Sequence, residues 1–154
     1  MTDNIYSRSA KSSWLAPTIQ HAISGSVSLP GSKSLTNREL VLSALASSPS
    51  RLRNPLDSRD SQLMIESLMK LGTQINASER SDLVIVPPTT DIEGREPLKA
   101  SIDCGLAGTV MRFVPPMAAL FAGEITFDGD EAARRRPMKT TIDSLRALGV
   151  SVED

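Results

Sequence analysis

The sequence predicts an α/β fold assembled from repeated βαβαββ units, the second of them cut short. Three observations predict it. Gly31, Ser34 and Arg38 return as Gly105, Gly108 and Arg112, each 74 positions later. Residues 67–72 (Ser-Leu-Met-Lys-Leu-Gly) return as 144–149 (Ser-Leu-Arg-Ala-Leu-Gly), each 77 positions later, which puts three extra residues in the loop before the fourth helix. Between these anchors the apolar residues switch between a period of 2 and a period of about 3.6, as strands and helices require. The second unit stops after its fifth element, leaving a strand edge unpaired, so the chain is expected to be an N-terminal fragment of a longer protein.

The elements follow in order. Residues 1–17 carry Ser, Asn and Lys without periodicity and read as a mobile tail, with Trp14-Leu15 its one apolar spot. Residues 18–23 alternate loosely, and residues 24–29 more clearly, with Val27 and Leu29 on one face of an expected strand. A helix is expected over 35–46, opening at about Ser34 to Thr36 and carrying Leu40, Val41, Ala44 and Leu45. A short strand follows at 51–54, and the cap-rich Asp57-Ser58-Arg59-Asp60 starts a second helix near Ser61. Met64, Leu68 and Leu71 share a face of that helix, and Gly72 ends it. Strands at 73–76 and 83–86 form a hairpin around the polar residues 78–82, and Pro87-Pro88 stops it. Repeat one thus runs over about 24–88 and repeat two over about 98–154, within a domain of 18–154. In the second repeat Pro115 and Pro116 should kink the third helix or delay its regular part to 117–122. Pro137 is placed to begin the helix 138–148, and residues 150–152 to form a final strand.

A length of 154 residues suits one domain with a sizeable core. Its five aromatics leave that core to Leu, Val, Ile, Ala and Met. A net charge of -1 argues against a nucleic-acid or acidic-membrane binder. The single cysteine, Cys104, excludes an internal disulfide, and the single histidine, His21, excludes a histidine metal cluster. No apolar run reaches the roughly 18 residues of a membrane span, and residues 1–15 hold no secretory core, so a cytoplasmic location is expected.

Chemistry concentrates where the repeat is anchored. In Leu29-Pro30-Gly31-Ser32-Lys33-Ser34-Leu35-Thr36-Asn37-Arg38, a Gly-Ser turn opens a helix beside two cations. Free N–H groups of a first helical turn, hydroxyls and fixed cations together hold an anion, phosphate above all. The spacing is not that of the Walker loop. The alternative is an ordinary helix start with a solvated Lys and Arg. Arg38 lies four residues after Ser34, so both can touch one ligand. Gly108 lets an anion approach the amides of the third helix, and Arg112 repeats the same four-residue step. Arg134, Arg135 and Arg136 precede a helix N-terminus, where positive charge is locally unfavourable, and such a conflict marks a functional site. Solvated arginines are the competing reading. Asp57 and Asp60 read as helix caps and Cys104 as a small buried side chain.

The string PGSKSLTNR, together with Gly105-Leu106-Ala107-Gly108-Thr109-Val110-Met111-Arg112 and the stretch from Gly129-Asp130 to Arg136-Pro137, resembles 5-enolpyruvylshikimate-3-phosphate synthase (3-phosphoshikimate 1-carboxyvinyltransferase). The likeness runs from about Ser24 to the last residue. It implies transfer of the enolpyruvyl group of phosphoenolpyruvate to shikimate 3-phosphate with release of phosphate, a step of chorismate and aromatic amino acid biosynthesis. It also implies no metal or organic cofactor, no nucleic-acid or membrane partner, small anionic substrates, and usually a monomer. The family fold has two lobes, each of three βαβαββ units arranged as an inside-out α/β barrel, with ligands in the cleft between them. By position Lys33 matches the catalytic lysine that contacts both substrates, and Ser34 and Arg38 match shikimate 3-phosphate contacts. Gly108 and Arg136 match phosphoenolpyruvate contacts, and Arg112 matches the arginine after the Gly-Thr turn on the same ligand. Leu106 stands where many members have Asn, Phe113 where many have Pro, and Ala132-Ala133 where the better-known pattern has Arg-Met. The family's proton-transfer carboxylates and lysine lie in later repeats, so this chain alone is expected to be inactive. The rivals are a fragment of the related UDP-N-acetylglucosamine enolpyruvyl transferase and a non-catalytic anion-binding remnant. Many members of the first carry a cysteine in the loop that here reads Asp130 to Arg136, where there is none.

Overall fold

A computed structural model describes residues 17–27, 29, 31–78, 82–88 and 96–154; the expected tail lies outside them, apart from Pro17. In chain order the elements are α1 (Lys33–Ala44), β1 (Ser50–Leu52), α2 (Arg59–Lys70), β2 (Gln74–Ala77), β3 (Leu83–Val86), β4 (Leu98–Asp103), α3 (Gly108–Ala118), β5 (Gly123–Asp128), the single turn α4 (Glu131–Arg134) and α5 (Lys139–Ala147). The chain is an α/β protein.

Helices α1, α2 and α3 pack against one another, and each of two small sheets rests on a pair of them. The first sheet has the order β1-β3-β2, antiparallel throughout, with Ser50 opposite Ile85 and Gln74 opposite Val86. The second pairs β4 with β5 in parallel, from Leu98 opposite Gly123 to Asp103 opposite Asp128, with α3 as the crossover. The core lies between helices and sheets: Leu40 and Ala44 of α1, Met64 and Leu68 of α2 with Leu71 after it, Ile85, Ile102, and Val110, Val114 and Met117 of α3. The predicted Met64-Leu68-Leu71 face is at most 1% exposed.

Local chemistry explains the best-formed elements. At the start of α2 the Ser61 N–H donates to Ser58 Oγ (3.2 Å) and the Ser58 N–H to Ser61 Oγ (2.8 Å), a reciprocal cap one turn wide. At its end Gly72 takes φ 94°, and the Thr73 N–H reaches back to the Leu68 carbonyl (3.0 Å), closing the helix as the sequence requires. Gly149 ends α5 in the same way, with φ 90° and the Val150 N–H on the Leu145 carbonyl (3.1 Å). A buried carboxylate ties β1 to the hairpin: Asp82 accepts from Arg51 Nε (3.0 Å) and from the Asn54 N–H (3.0 Å). These donors, the Asn54 amide first, hold its carboxyl below the usual carboxylate range.

Several expectations are corrected. The strands expected at 18–23 and 24–29 do not form among the described residues; Ile19, Ile23, Val27 and Leu29 are 62–81% exposed. Alternation proposes a strand, but a ladder needs a neighbour, and among the described residues none pairs with this segment. The strand expected at 150–152 is likewise absent, and Arg146 instead donates from Nη2 to the Val152 carbonyl (2.7 Å). Helix α1 starts at Lys33, so Lys33 and Ser34 belong to its first turn and Ser32 takes the cap position. Helix α2 starts at Arg59 rather than near Ser61, and β1 at Ser50. Pro115 and Pro116 sit in the last turn of α3, so the regular part comes before them and the helix ends at Ala118. Pro137 does not begin α5; Met138 holds the cap position and Arg136 lies in the bend after α4.

Candidate anion-binding site

The N-terminal ends of α1, α2 and α3 lie on one side of the chain. Lys33 Nζ of the first turn of α1 is 3.0 Å from Asp60 Oδ2 in the first turn of α2. Asn37 Nδ2 of α1 donates to Thr109 Oγ1 of α3 at 2.6 Å. Arg59, the first residue of α2, makes a two-pronged contact with Asp130, the cap residue of α4 (2.9 and 3.0 Å). Neither α1 nor α3 has a side-chain cap or an acidic residue in its first turn. Their free N–H groups therefore keep the partial positive charge of a helix start.

The loop before α1 is held close. A Cβ on Gly31 would sit 2.9 Å from the Asn54 carbonyl oxygen and 3.2 Å from the Leu56 nitrogen, backbone atoms that cannot move aside. The Leu56 N–H also donates to Thr36 Oγ1 (3.0 Å), so the segment after β1 is tied to α1 beside its first turn.

Gly108 is the first residue of α3. A Cβ there would lie 2.9 Å from Arg136 Nη1 and 3.4 Å from Arg112 Nη1. The missing side chain thus leaves room for two guanidinium groups over the first residue of α3. Among the described residues neither arginine forms an ion pair. The two nitrogens are within about 6 Å of each other, where like unit charges repel by about 0.7 kcal/mol at the dielectric of water and about 3 kcal/mol in a partly screened cleft. Two unneutralised cations over a helix start make a receptor for a compact anion.

The other candidates gather on α1. Ser34 is exposed, and its carbonyl accepts from Arg38 Nη1 (3.1 Å). The Arg38 guanidinium lies over the Phe113 ring of α3, 5.8 Å from the ring centre. Gly108, Arg112 and Arg136 therefore meet directly, while Arg38 reaches α3 at Phe113, the residue after Arg112. Lys33 is held by Asp60 on the α2 side. Of the other basic residues in the loop, Arg134 is spent on Asp128 (2.9 Å), holding that carboxyl down to about 2 with help from the Gly129 N–H, and Arg135 pairs with Glu131. Cys104 is buried, and burial pushes its thiol up to about 11, with Asp103 and Asp128 adding to the effect, which leaves it inert as a nucleophile.

Sequence reasoning missed the cross-links. Asp60 was read as a cap but is the partner of Lys33, while Ser58 does the capping. Asn37 and Thr109 stand inside the two motifs, yet only the packing of α1 on α3 shows that they meet. A polar residue one turn into an otherwise apolar face was the available signal.

Clustered helix starts lined by Lys and Arg on an α/β fold form a candidate anion-binding site. Residues 17–154 match the family model described as EPSP synthase (3-phosphoshikimate 1-carboxyvinyltransferase), and the chain belongs to that family. It is 52% identical to the 3-phosphoshikimate 1-carboxyvinyltransferase of Kocuria rhizophila, over 100% of this chain and 36% of that protein. The chain thus spans about a third of the length of that relative. Two solved structures of EPSP synthase from Acinetobacter baumannii share the fold, with TM-scores of 0.68 and 0.70 and 22% identity. They cover 82% and 84% of this chain, and 28% of the solved chain in each case.

Proposed function

We propose that this chain supplies one anion-binding wall of an enzyme that transfers the enolpyruvyl group of phosphoenolpyruvate to shikimate 3-phosphate, giving 5-enolpyruvylshikimate 3-phosphate and phosphate. The observation that carries the reading is the pair of unneutralised guanidinium groups of Arg112 and Arg136 over Gly108. In this reading those three residues take phosphoenolpyruvate, Ser34 and Arg38 take shikimate 3-phosphate, and Lys33 exchanges Asp60 for both substrates. Lys33 suits a catalytic role because its ammonium, at the first turn of α1, can follow charge as it develops on bound substrates. The division into units at about 24–88 and 98–154 belongs to the same proposal, supported by the matching ends at Gly72 and Gly149. So do a cytoplasmic location and a monomeric state. No described helix is long and apolar enough to cross a membrane.

Calorimetric titration of the chain tests the reading. Phosphoenolpyruvate should bind, and Arg136→Ala should weaken it at least tenfold, since a hydrogen bond to a charged group is worth about 1.5–3 kcal/mol. Equal affinity in parent and variant would remove Arg136 from the site.

A further inference from the structure

The aromatic ring of Phe113 has a use that its sequence position does not announce. It is half-buried against the core on α3, and the Arg38 guanidinium of α1 lies over its face at 5.8 Å. One residue earlier on α1, Asn37 is fully buried and donates to Thr109, one helical turn before Phe113 on the same side of α3. Two consecutive residues of α1 therefore grip α3 at two points a turn apart. A guanidinium held over a ring by its charge still has N–H donors to offer other partners. Arg38 uses one edge on the Ser34 carbonyl (3.1 Å), and it has no carboxylate partner among the described residues. The remaining N–H donors stay available.

We infer that Phe113 is a positioning residue, whose ring holds the Arg38 guanidinium ready to receive an anionic group of the acceptor substrate. This rests on the role proposed above for Arg38. The ring adds no charge; it restricts a long side chain that would otherwise lose rotamer freedom when the anion arrives.

Shikimate 3-phosphate, titrated into the parent chain and into Phe113→Leu and Phe113→Trp, provides the test. The Leu variant should bind roughly two- to fivefold more weakly, the range expected for an exposed stacked cation, and the Trp variant should restore affinity. In a double-mutant cycle, Phe113→Leu should cost nothing further once Arg38 is Ala. The upfield ring-current shift of the Arg38 δ-methylene protons should vanish in the Leu variant and persist in the Trp variant. Thermal melts identify any variant that fails to fold, and the Trp variant then carries the comparison with the parent. Parent binding with an unchanged Leu variant, or a loss that persists in the Arg38→Ala background, overturns the positioning role and leaves the reading of the site standing. A parent chain that takes no shikimate 3-phosphate overturns both.

Discussion

A methyl group at Gly108 separates the affinity of the site from the stability of the fold. The backbone there is not in the left-handed region, so alanine can adopt it. The added carbon would stand 2.9 Å from Arg136 Nη1, about half an ångström inside ordinary contact, and 3.4 Å from Arg112 Nη1. The atom in the way is the end of a flexible side chain, so Arg136 yields and the helix does not. Moving one charge-assisted donor off its line forfeits part of a contact worth about 1.5–3 kcal/mol. Phosphoenolpyruvate should then bind about tenfold more weakly, close to 1.4 kcal/mol. Stability should hold or rise by about 0.4–1 kcal/mol, because the unfolded chain loses the freedom of a glycine. Calorimetry with phosphoenolpyruvate and with shikimate 3-phosphate, beside a thermal melt, reads all three quantities. Unchanged phosphoenolpyruvate affinity in Gly108→Ala would refute the shared site. A fall in shikimate 3-phosphate affinity as large as that for phosphoenolpyruvate would show that the substitution disturbs more than Arg136.

Leu68→Ala empties a position that is 0% exposed between α2 and the sheets, and should cost about 2–5 kcal/mol, read as a fall in the urea midpoint at unchanged slope. Asp128 gives an acid signature. Its carboxyl is held near 2 against an ordinary 3.8, so its contribution is complete above about pH 4 and is lost as pH falls through the folded value. Asp128→Asn should flatten the stability profile between those limits; an unchanged acid limb in melts from pH 2 to 5 would show that Arg134 contributes nothing there.

The sequence made legible what local rules decide. The cap-rich residues 57–60 and Gly72 bracketed α2, the 73–76 and 83–86 segments found the hairpin, and the 74-residue offset paired α1 with α3. Three kinds of feature were not legible. Strand formation at 18–29 and 150–152 depends on a neighbour that alternation cannot report. Helix starts were misplaced by two residues because Lys33 and Ser34, like Arg59, are acceptable in a first turn, and no side-chain bond marks Ser32 as a cap. The contacts Lys33–Asp60, Asn37–Thr109 and Arg38–Phe113 join separate helices, so they follow from how α1, α2 and α3 pack and not from any one of them. Of the four residues that the resemblance groups on phosphoenolpyruvate, Gly108, Arg112 and Arg136 lie together, while Lys33 is paired with Asp60.

The carboxylate of Asp82 also bears on what happens before the chain is folded. Strand β3, Leu-Val-Ile-Val, is the centre of its sheet only after β1 docks, and β1 lies some thirty residues upstream with α2 between. Until that distant strand arrives, the hairpin presents four consecutive β-branched or leucine side chains on an open edge, the kind of segment that pairs with copies of itself. Asp82 stands immediately before it and has no partner until Arg51 and the Asn54 amide come in with β1. An unpaired charge beside an apolar edge repels a second chain, and the same charge becomes a buried fastener once the correct strand is in place. One side chain thus carries a charge of the kind that disfavours self-pairing of an open edge, and in the fold it ties β1 to the hairpin.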